Sequence, residues 1–435
     1  MQPTRERLAV IGGGWAGLAA AITLTAANRQ VVLFESARQL GGRARGVPLQ
    51  GHMLDNGQHL LVGAYQATLG LLTAIGISSE QAFRRTPLDI ACPPDFHLRL
   101  PRLVAPLHLA WGLLRAQGVP WAEKWNAARF MQDLKAARYR LPHDTTVADW
   151  LDRFGQRGVL RQRLWDPLCL AALNTPPEKA SAQIFANVLR DSLGGARAAT
   201  DFLIPRTDLG SLLPEPARVW LQKRGTEVRL STRVTALTLH QPGGISPISV
   251  LGPWGEETFD QVILATPPHA ASPLLPDCEA LSSLKNTLNS FRYEPIATAY
   301  LGYPEPIGLP TPIEQMPGPL GQWLFDRRDC GNPGVLAVVL SAHGDWESLD
   351  NDTLALRLDD EIRVRRPLLP KPLWHRVIRE QRATFACTPH LTRPTHRTAL
   401  PELWLAGDYT AGDYPATLEG AVRSGIAAAH ELLST

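Results

Sequence analysis

Residues 8–35, LAVIGGGWAGLAAAITLTAANRQVVLFE, constrain the fold more than any other stretch of the chain. They read as a strand, a glycine turn, a helix, a short loop and a second strand. Leu8, Ala9, Val10 and Ile11 form an apolar run suited to a parallel strand buried on both faces. Gly12, Gly14 and Gly17 follow with G-x-G-x-x-G spacing, and Gly13 loosens the turn further. Without side chains, the first two glycines let the backbone turn and approach a pyrophosphate, while the third lets a helix pack closely on the sheet. The helix expected over residues 16–27 presents its N-terminus, with unpaired N–H groups and partial positive charge, to that pyrophosphate. Residues 31–34 make the second strand. Glu35 ends it about 20 residues past the glycines, where a carboxylate accepts hydrogen bonds from a ribose. A glycine fingerprint alone is weak evidence; with both strands, the helix and the terminal acid in place, the stretch reads as a dinucleotide site.

The same stretch has a rival reading. Residues 8–28 carry no charge and are long enough to span a bilayer, and Arg5 and Arg7 ahead of small apolar residues imitate a signal peptide. Three consecutive glycines, with Thr23, Thr25 and Asn28, oppose a span. Cleavage here would destroy the fingerprint, so the stretch is read as part of the folded protein.

At 435 residues the chain has the length of two domains. Its hydrophobic content of 44% and charged content of 20% are ordinary for a soluble protein. A net charge of +3 is too small to argue for nucleic acid. Cys92, Cys169, Cys278, Cys330 and Cys387 are scattered and odd in number, which opposes a disulfide framework or zinc site and fits a reducing compartment. The histidines show no H-x-x-x-H pair beside a carboxylate, so no metal centre is expected.

Further motifs punctuate the chain. After Glu35, Gly41-Gly42 makes a second flexible turn and Arg43 follows, a guanidinium placed to neutralise phosphate. Asp55, Asn56, Gln58 and His59 surround Gly57 between apolar residues, a turn that brings backbone close to something. Residues 65–75 read as a helix. Residues 99–140 hold eight basic and two acidic side chains with Trp111, Trp121 and Trp125 interleaved. Trp121, Trp125, Ala128, Met131 and Leu134 recur at helical spacing, which suits either an interfacial membrane helix or a helix packing that stripe on the core. Residues 160–172 are helical and carry Asp166 before Pro167, and the break Asn174-Thr175-Pro176-Pro177 follows. Helices are also expected over 181–193, 212–223 and 352–365. Residues 227–230 and 234–239 alternate like paired strands; 259–266 (FDQVILAT), 297–301, 335–340 and 403–406 are further strands. The last stretch carries Gly407-Asp408, then Gly412, Tyr414 and Pro415, and a helix over 417–433 whose N-terminus offers partial positive charge.

Three blocks resemble the flavin amine oxidase and phytoene desaturase superfamily: Gly12 to Glu35 with Gly41-Gly42-Arg43, the FDQVILATP strand, and LAGDYTAGDYPATLEGAVRSG. Within it, WAGLAAA, LDNGQHLLVGAY, LWDPLCLAALNTPPEKAS and the C-terminal block resemble the squalene-associated FAD-dependent desaturases, read as hydroxysqualene dehydroxylases. The resemblance implies an α/β Rossmann-like FAD-binding domain with an inserted α+β substrate-binding domain. The FAD domain would comprise residues 1–76, 201–268 and 399–435, and the substrate domain 77–200 (helical) and 269–398 (sheet-containing).

Carried over, Gly12, Gly14 and Gly17 would hold the pyrophosphate and Glu35 the adenosine ribose. Gly42 and Arg43 would meet the phosphates, and the Val234 backbone the adenine. Gly407 and Asp408 would serve the ribityl and phosphate side. Thr417 and Leu418 would lie beneath the flavin pyrimidine ring, and Asn56 and Gly57 are taken as cofactor-facing. The lysine that faces flavin in amine oxidases has no evident counterpart, which opposes amine oxidation. With a single fingerprint, NADPH or another reductant would donate electrons only transiently.

The implied reaction removes the hydroxyl of hydroxysqualene to give squalene for hopanoid synthesis in bacteria. It needs a proton donor at the leaving oxygen, for which Asp166, His59 and Tyr414 are candidates. Each has a plain alternative: a helix cap, a buried hydrogen-bonded imidazole and a packing ring. The C30 isoprenoid must arrive from a lipid surface. The expected setting is therefore cytoplasmic, peripheral on the inner face of the cytoplasmic membrane, near the upstream squalene-pathway enzymes. A carotenoid or terpenoid desaturase, or a non-catalytic prenyl-lipid carrier on the same fold, are the alternatives.

Overall fold

The computed structural model describes residues 6–239, 247–304, 307–316 and 318–435. The first apolar run forms the strand Arg7–Ile11, paired in parallel with Gln30–Phe34 and with Gln261–Leu264. Glu227–Arg229 and Leu403–Leu405 complete its edges, so five strands from distant parts of the chain share one parallel layer. Alternate residues serve opposite faces. Leu8 and Val10 join Leu33, Ile263 and Trp404 under the helices Trp15–Ala26 and Leu418–Leu433. Ala9 and Ile11 join Val32 and Phe34 on the other face, with Leu237, Val250 and Phe259 of a three-stranded antiparallel sheet.

The two helices meet through small residues. A Cβ on Gly425 would lie 2.0 Å from the Ala16 carbonyl oxygen, so only glycine permits this approach. Nearly two turns earlier, the fully buried Glu419 accepts from the Ala67 and Thr68 N–H groups at 2.9 Å. It thereby caps the helix Gln66–Ala74 with a carboxylate, where helix N-termini favour negative charge.

A second sheet is antiparallel, ordered Ile313–Gln315, Trp323–Asp326, Val335–Ser341, Tyr293–Gly302 and Trp374–Phe385. On one face Ala297, Ala299, Leu301, Leu336 and Val338 pack against Leu354, Leu358 and Ile362 of the helix Asn351–Arg365. The other face turns towards the glycine-rich hairpin: the Tyr300 hydroxyl donates to the Asp55 carbonyl at 2.9 Å. Helices between residues 107 and 192 gather around Phe130, whose ring lies 4.9 Å from Trp150 and 5.6 Å from Trp165. Asn174 terminates one of them in the left-handed conformation, φ 46°. Its side chain then stitches the helices to the second sheet, donating to Thr384 at 2.9 Å and accepting from the Ala342 N–H at 2.8 Å.

Three expectations are corrected. Residues 227–230 and 234–239 do not pair with each other: Glu227–Arg229 extends the parallel sheet, while Ala236–Leu239 pairs with Ile248–Gly252. Between them Ser231 takes a positive φ of 53° and redirects the chain. The helix carrying Asp166 is interrupted, with a π-helical turn over Arg161–Trp165 before Asp166–Leu173.

The helix Trp121–Ala136 buries Lys124, Ala127, Phe130 and Leu134, whereas Trp121 and Trp125 are 70% and 71% exposed. Both stripes satisfy helical spacing. Burial of Phe130 in the aromatic cluster selected the one that turns the tryptophans outward.

The helix contact at Gly425 predicts a stability effect. Gly425→Val should destabilise the fold by about 1–3 kcal/mol, because backbone offers no room to repack. A urea midpoint equal to wild type would show that the helices do not pack this closely.

Candidate functional site

At the carboxyl end of the parallel sheet, two glycine turns lie one on the other. The Gly41 N–H donates to the Gly13 carbonyl at 2.8 Å, and a Cβ on Gly42 would sit 3.3 Å from the Gly14 Cα. Gly17 allows helix and strand to touch, since its Cβ would lie 1.9 Å from the Gly12 carbonyl oxygen. Gly12 itself has φ +109°, a conformation only glycine adopts readily. At Gly14 the reason is different: a Cβ there would project into open space, with nothing within 4 Å. It lies at the start of Trp15–Ala26, where a helix N-terminus favours an anion.

Glu35 sits beside this opening. It accepts from the Gly13 N–H and from the Ala37 N–H, both at 2.7 Å. Its backbone carbonyl accepts from the Thr232 N–H, which carries the adjacent Val234, itself buried, past the same edge. The Trp15 indole donates to the Ala44 carbonyl at 3.1 Å and ties the second glycine turn to the helix. That contact helps place Arg43, whose guanidinium pairs with Asp408 at 2.7 Å. Gly407 precedes it, donating to Ser424 at 2.8 Å. Thr417 caps the C-terminal helix by accepting from the Gly420 N–H, so that Leu418 begins a 16-residue helix.

These positions, scattered from residue 12 to 418, line one region. The orphaned Thr266 hydroxyl belongs to it, as the methyl group of the same side chain is 3.3 Å from where a Gly12 Cβ would be. The buried Tyr409 hydroxyl, next to Asp408, also lacks a partner. Unsatisfied buried hydroxyls are costly unless something bonds them. Together with the open space at Gly14, they fit an elongated, polar, diphosphate-bearing group such as FAD.

The LDNGQH turn lies where the second sheet approaches. Asn56 donates to the Arg43 carbonyl at 3.4 Å, and Gly57 abuts Thr298. The Gln58 N–H donates to the Thr298 hydroxyl at 3.2 Å. His59 is half-buried, with Asp55, Arg43 and Arg327 as its charged neighbours. Burial lowers its pKa, with Arg43 and Arg327 acting in the same direction. The neutral ring donates from Nδ1 to the Gly57 carbonyl at 2.7 Å, which leaves Nε2 as the free ring nitrogen.

The three candidate proton donors are not brought together. Asp166 stands among Arg161, Asp152 and Glu178; burial raises its pKa although Arg161 pairs with it. The Tyr414 hydroxyl donates to Asp191, and burial followed by that bond raises its pKa. Neither shares a charged neighbour with His59. Sequence reasoning missed Thr266 and Tyr409, although both sit inside motifs it had singled out. It also missed Arg327, which lies in no motif and is only 1% exposed.

A sequence model for the flavin containing amine oxidoreductases matches residues 15–433. A hydroxysqualene dehydroxylase of Rhodopseudomonas palustris is 33% identical over 441 aligned residues, covering 98% of each chain. Another from Sinorhizobium fredii is 32% identical with the same coverage. A 15-cis-phytoene desaturase of an Oncidium hybrid is 25% identical over 96% of this chain and 76% of its own. Among solved structures, putrescine oxidase with bound putrescine superposes with a TM-score of 0.73 at 17% identity, covering 99% of this chain and all of that one. Cyclohexylamine oxidase from Brevibacterium oxydans gives 0.65 at 16% identity, over 99% of each. These two similarities speak for the fold.

Filling the open space at Gly14 should expel the cofactor. Gly14→Val is expected to purify folded but without flavin, read from absorbance near 450 nm per protein; a full complement of flavin would overturn the placement of the pyrophosphate. By its full-length match and its full-length relatives, the chain belongs to the flavin containing amine oxidoreductase family and is an FAD-dependent oxidoreductase.

Proposed function

We propose that the protein reductively removes the hydroxyl of hydroxysqualene to yield squalene, in an FAD domain made of residues 1–76, 201–268 and 399–435 that encloses a substrate domain of 77–200 and 269–398. The observation that carries this is full-length similarity to hydroxysqualene dehydroxylases at 33% identity, above the 25% to a phytoene desaturase. Atom balance requires one hydride to carbon and one proton to the departing oxygen, which leaves as water. Bound FAD in its reduced form supplies the hydride, replenished by NADPH or another transient donor.

The protein's own residues supply the rest. Gly12, Gly14, Gly17, Glu35, Gly42, Arg43, Val234, Gly407, Asp408, Thr417 and Leu418 hold and orient the cofactor. Asn56 and Gly57 bring backbone against it. Apolar residues around the second sheet keep water from the developing allylic cation. His59 is the candidate best placed for the leaving oxygen, because it stands on the loop that meets the second sheet and its Nε2 is the ring nitrogen left free.

Burial makes its imidazolium a stronger acid but a minority species at neutral pH. Single-turnover rates should therefore climb as pH falls below the ordinary imidazole value of 6.5. His59→Gln should abolish that rise and lower the rate by ~10²–10⁴, while Asp166→Asn and Tyr414→Phe change it little. Anaerobic incubation of the reduced enzyme with hydroxysqualene, read by mass spectrometry, tests the reaction itself. A desaturated product would favour the carotenoid-desaturase reading, and a colourless purified protein the lipid carrier.

Substrate delivery calls for a lipid surface. Among the described residues no helix is long and apolar enough to cross a membrane. Instead Leu103, Val104, Leu107, Trp111 and Leu114 are exposed on and before the helix Leu107–Arg115, close in sequence to the outward Trp121 and Trp125. Arg115 lies over the Trp111 ring at 5.1 Å. Lys124 is not a free charge, since its ammonium donates to the Leu114 and Ala116 carbonyls at 2.8 and 2.7 Å and caps that helix.

These exposed apolar residues, with Arg115 against Trp111, suit peripheral docking on the inner face of the cytoplasmic membrane, each free basic residue adding roughly 1 kcal/mol at an anionic leaflet. Replacing Trp121 and Trp125 with serine should lower recruitment to anionic vesicles, with salt releasing the wild type. Activity on detergent-dispersed substrate should survive. Equal vesicle binding by both proteins would refute the docking.

A further inference from the structure

Both partners of the Arg327–Asp55 ion pair are almost wholly buried, at 1% and 3% side-chain exposure, with 2.8 Å between Nη2 and Oδ2. Taking two charges out of water is costly unless further bonds complete the geometry. Asp55 is completed by the Leu209 N–H at 2.7 Å. Arg327 is completed in part: its buried Nε has no hydrogen-bond partner, while Nη1 donates to the Gln58 Oε1 at 2.7 Å. Arginine only donates, so this contact also decides which way the Gln58 amide faces. Its Nε2 then donates to the His59 carbonyl at 2.9 Å, while the Gln58 N–H donates to Thr298. The loop is thus held from the second sheet at successive residues. Anchoring Asp55 alone would not require the prong to Gln58, and a lysine could not supply the same planar fork.

We propose that Arg327 is a positioning residue for the reaction: acting through Gln58, it sets the conformation of the loop Gly57-Gln58-His59 and so the placement of the His59 Nε2 against the substrate oxygen. This rests on the reading of His59 as the group that meets that oxygen. It also gives the second sheet a part in the chemistry beyond enclosing the substrate.

Gln58→Met cuts the relay while keeping the Arg327–Asp55 contact, and because it strips Nη1 of its acceptor the urea midpoint of the variant is measured alongside to separate a stability loss from a loss of rate. Single-turnover rates, KM and flavin content are measured for wild type, Gln58→Met, His59→Gln and the double variant. Gln58→Met is expected to keep its flavin and a KM within about twofold of wild type, and to turn over roughly 10- to 100-fold more slowly, as a misplaced group does. Introduced into His59→Gln, it should add no more than about twofold, because both changes act on one element. Additive losses in the double variant, an unslowed Gln58→Met, or loss of flavin from Gln58→Met would each overturn the proposal. If His59→Gln itself runs at the wild-type rate, the role of His59 has failed first, an outcome distinct from the other three.

Discussion

The constraint on which the cofactor region depends is the contact of the first helix with the turn that ends the first strand. The carbonyl of Gly12 occupies the space where a side chain at position 17 would begin. Because no atom intervenes, the helix axis is pinned over the strand and its N-terminus held at the sheet's carboxyl edge. Everything the cofactor region needs follows from that placement. The open space at Gly14, the second glycine turn stacked on it and Glu35 at the end of the next strand are spaced by backbone, with little freedom to drift. The C-terminal helix extends the same device through Gly425, and Glu419 locks it to the helix Gln66–Ala74.

The cofactor region pairs its charges, whereas the second sheet beside it is largely apolar. Arg43 and Asp408 neutralise each other across segments far apart in the chain. The second sheet brings one apolar face to its own helix and the other to the LDNGQH turn, which Thr298, Tyr300 and Arg327 hold by hydrogen bonds. Burial disfavours the charged form of all three candidate donors. It depresses the pKa of His59 and raises those of Asp166 and Tyr414. Their separate charged neighbours further distinguish them.

The exposed tryptophans show how periodicity leaves a choice that packing resolves. Two stripes on the helix Trp121–Ala136 satisfy the same helical spacing. The stripe through Phe130 fills the aromatic cluster with Trp150 and Trp165, and this turns Trp121 and Trp125 to the outside. Lys124 lies on the buried side, where it serves the end of the neighbouring helix.

By itself the sequence determined the dinucleotide half of the fold. Its signals are local: an apolar run, glycines at set spacing and an acid at a strand end are dictated by backbone sterics within about 30 residues. Tertiary structure alone decided which strands share a sheet. Residues 227–230 and 234–239 look like partners in sequence but belong to different sheets, because Ser231 turns the chain between them. It also decided which polar residues act together. Asp55 was visible as one of four polar groups around Gly57, whereas Arg327, more than 270 positions away, carries no sequence signal and acquires its meaning only from the buried carboxylate it meets. Long-range charge pairing has no period and no spacing, so only the folded chain reveals it.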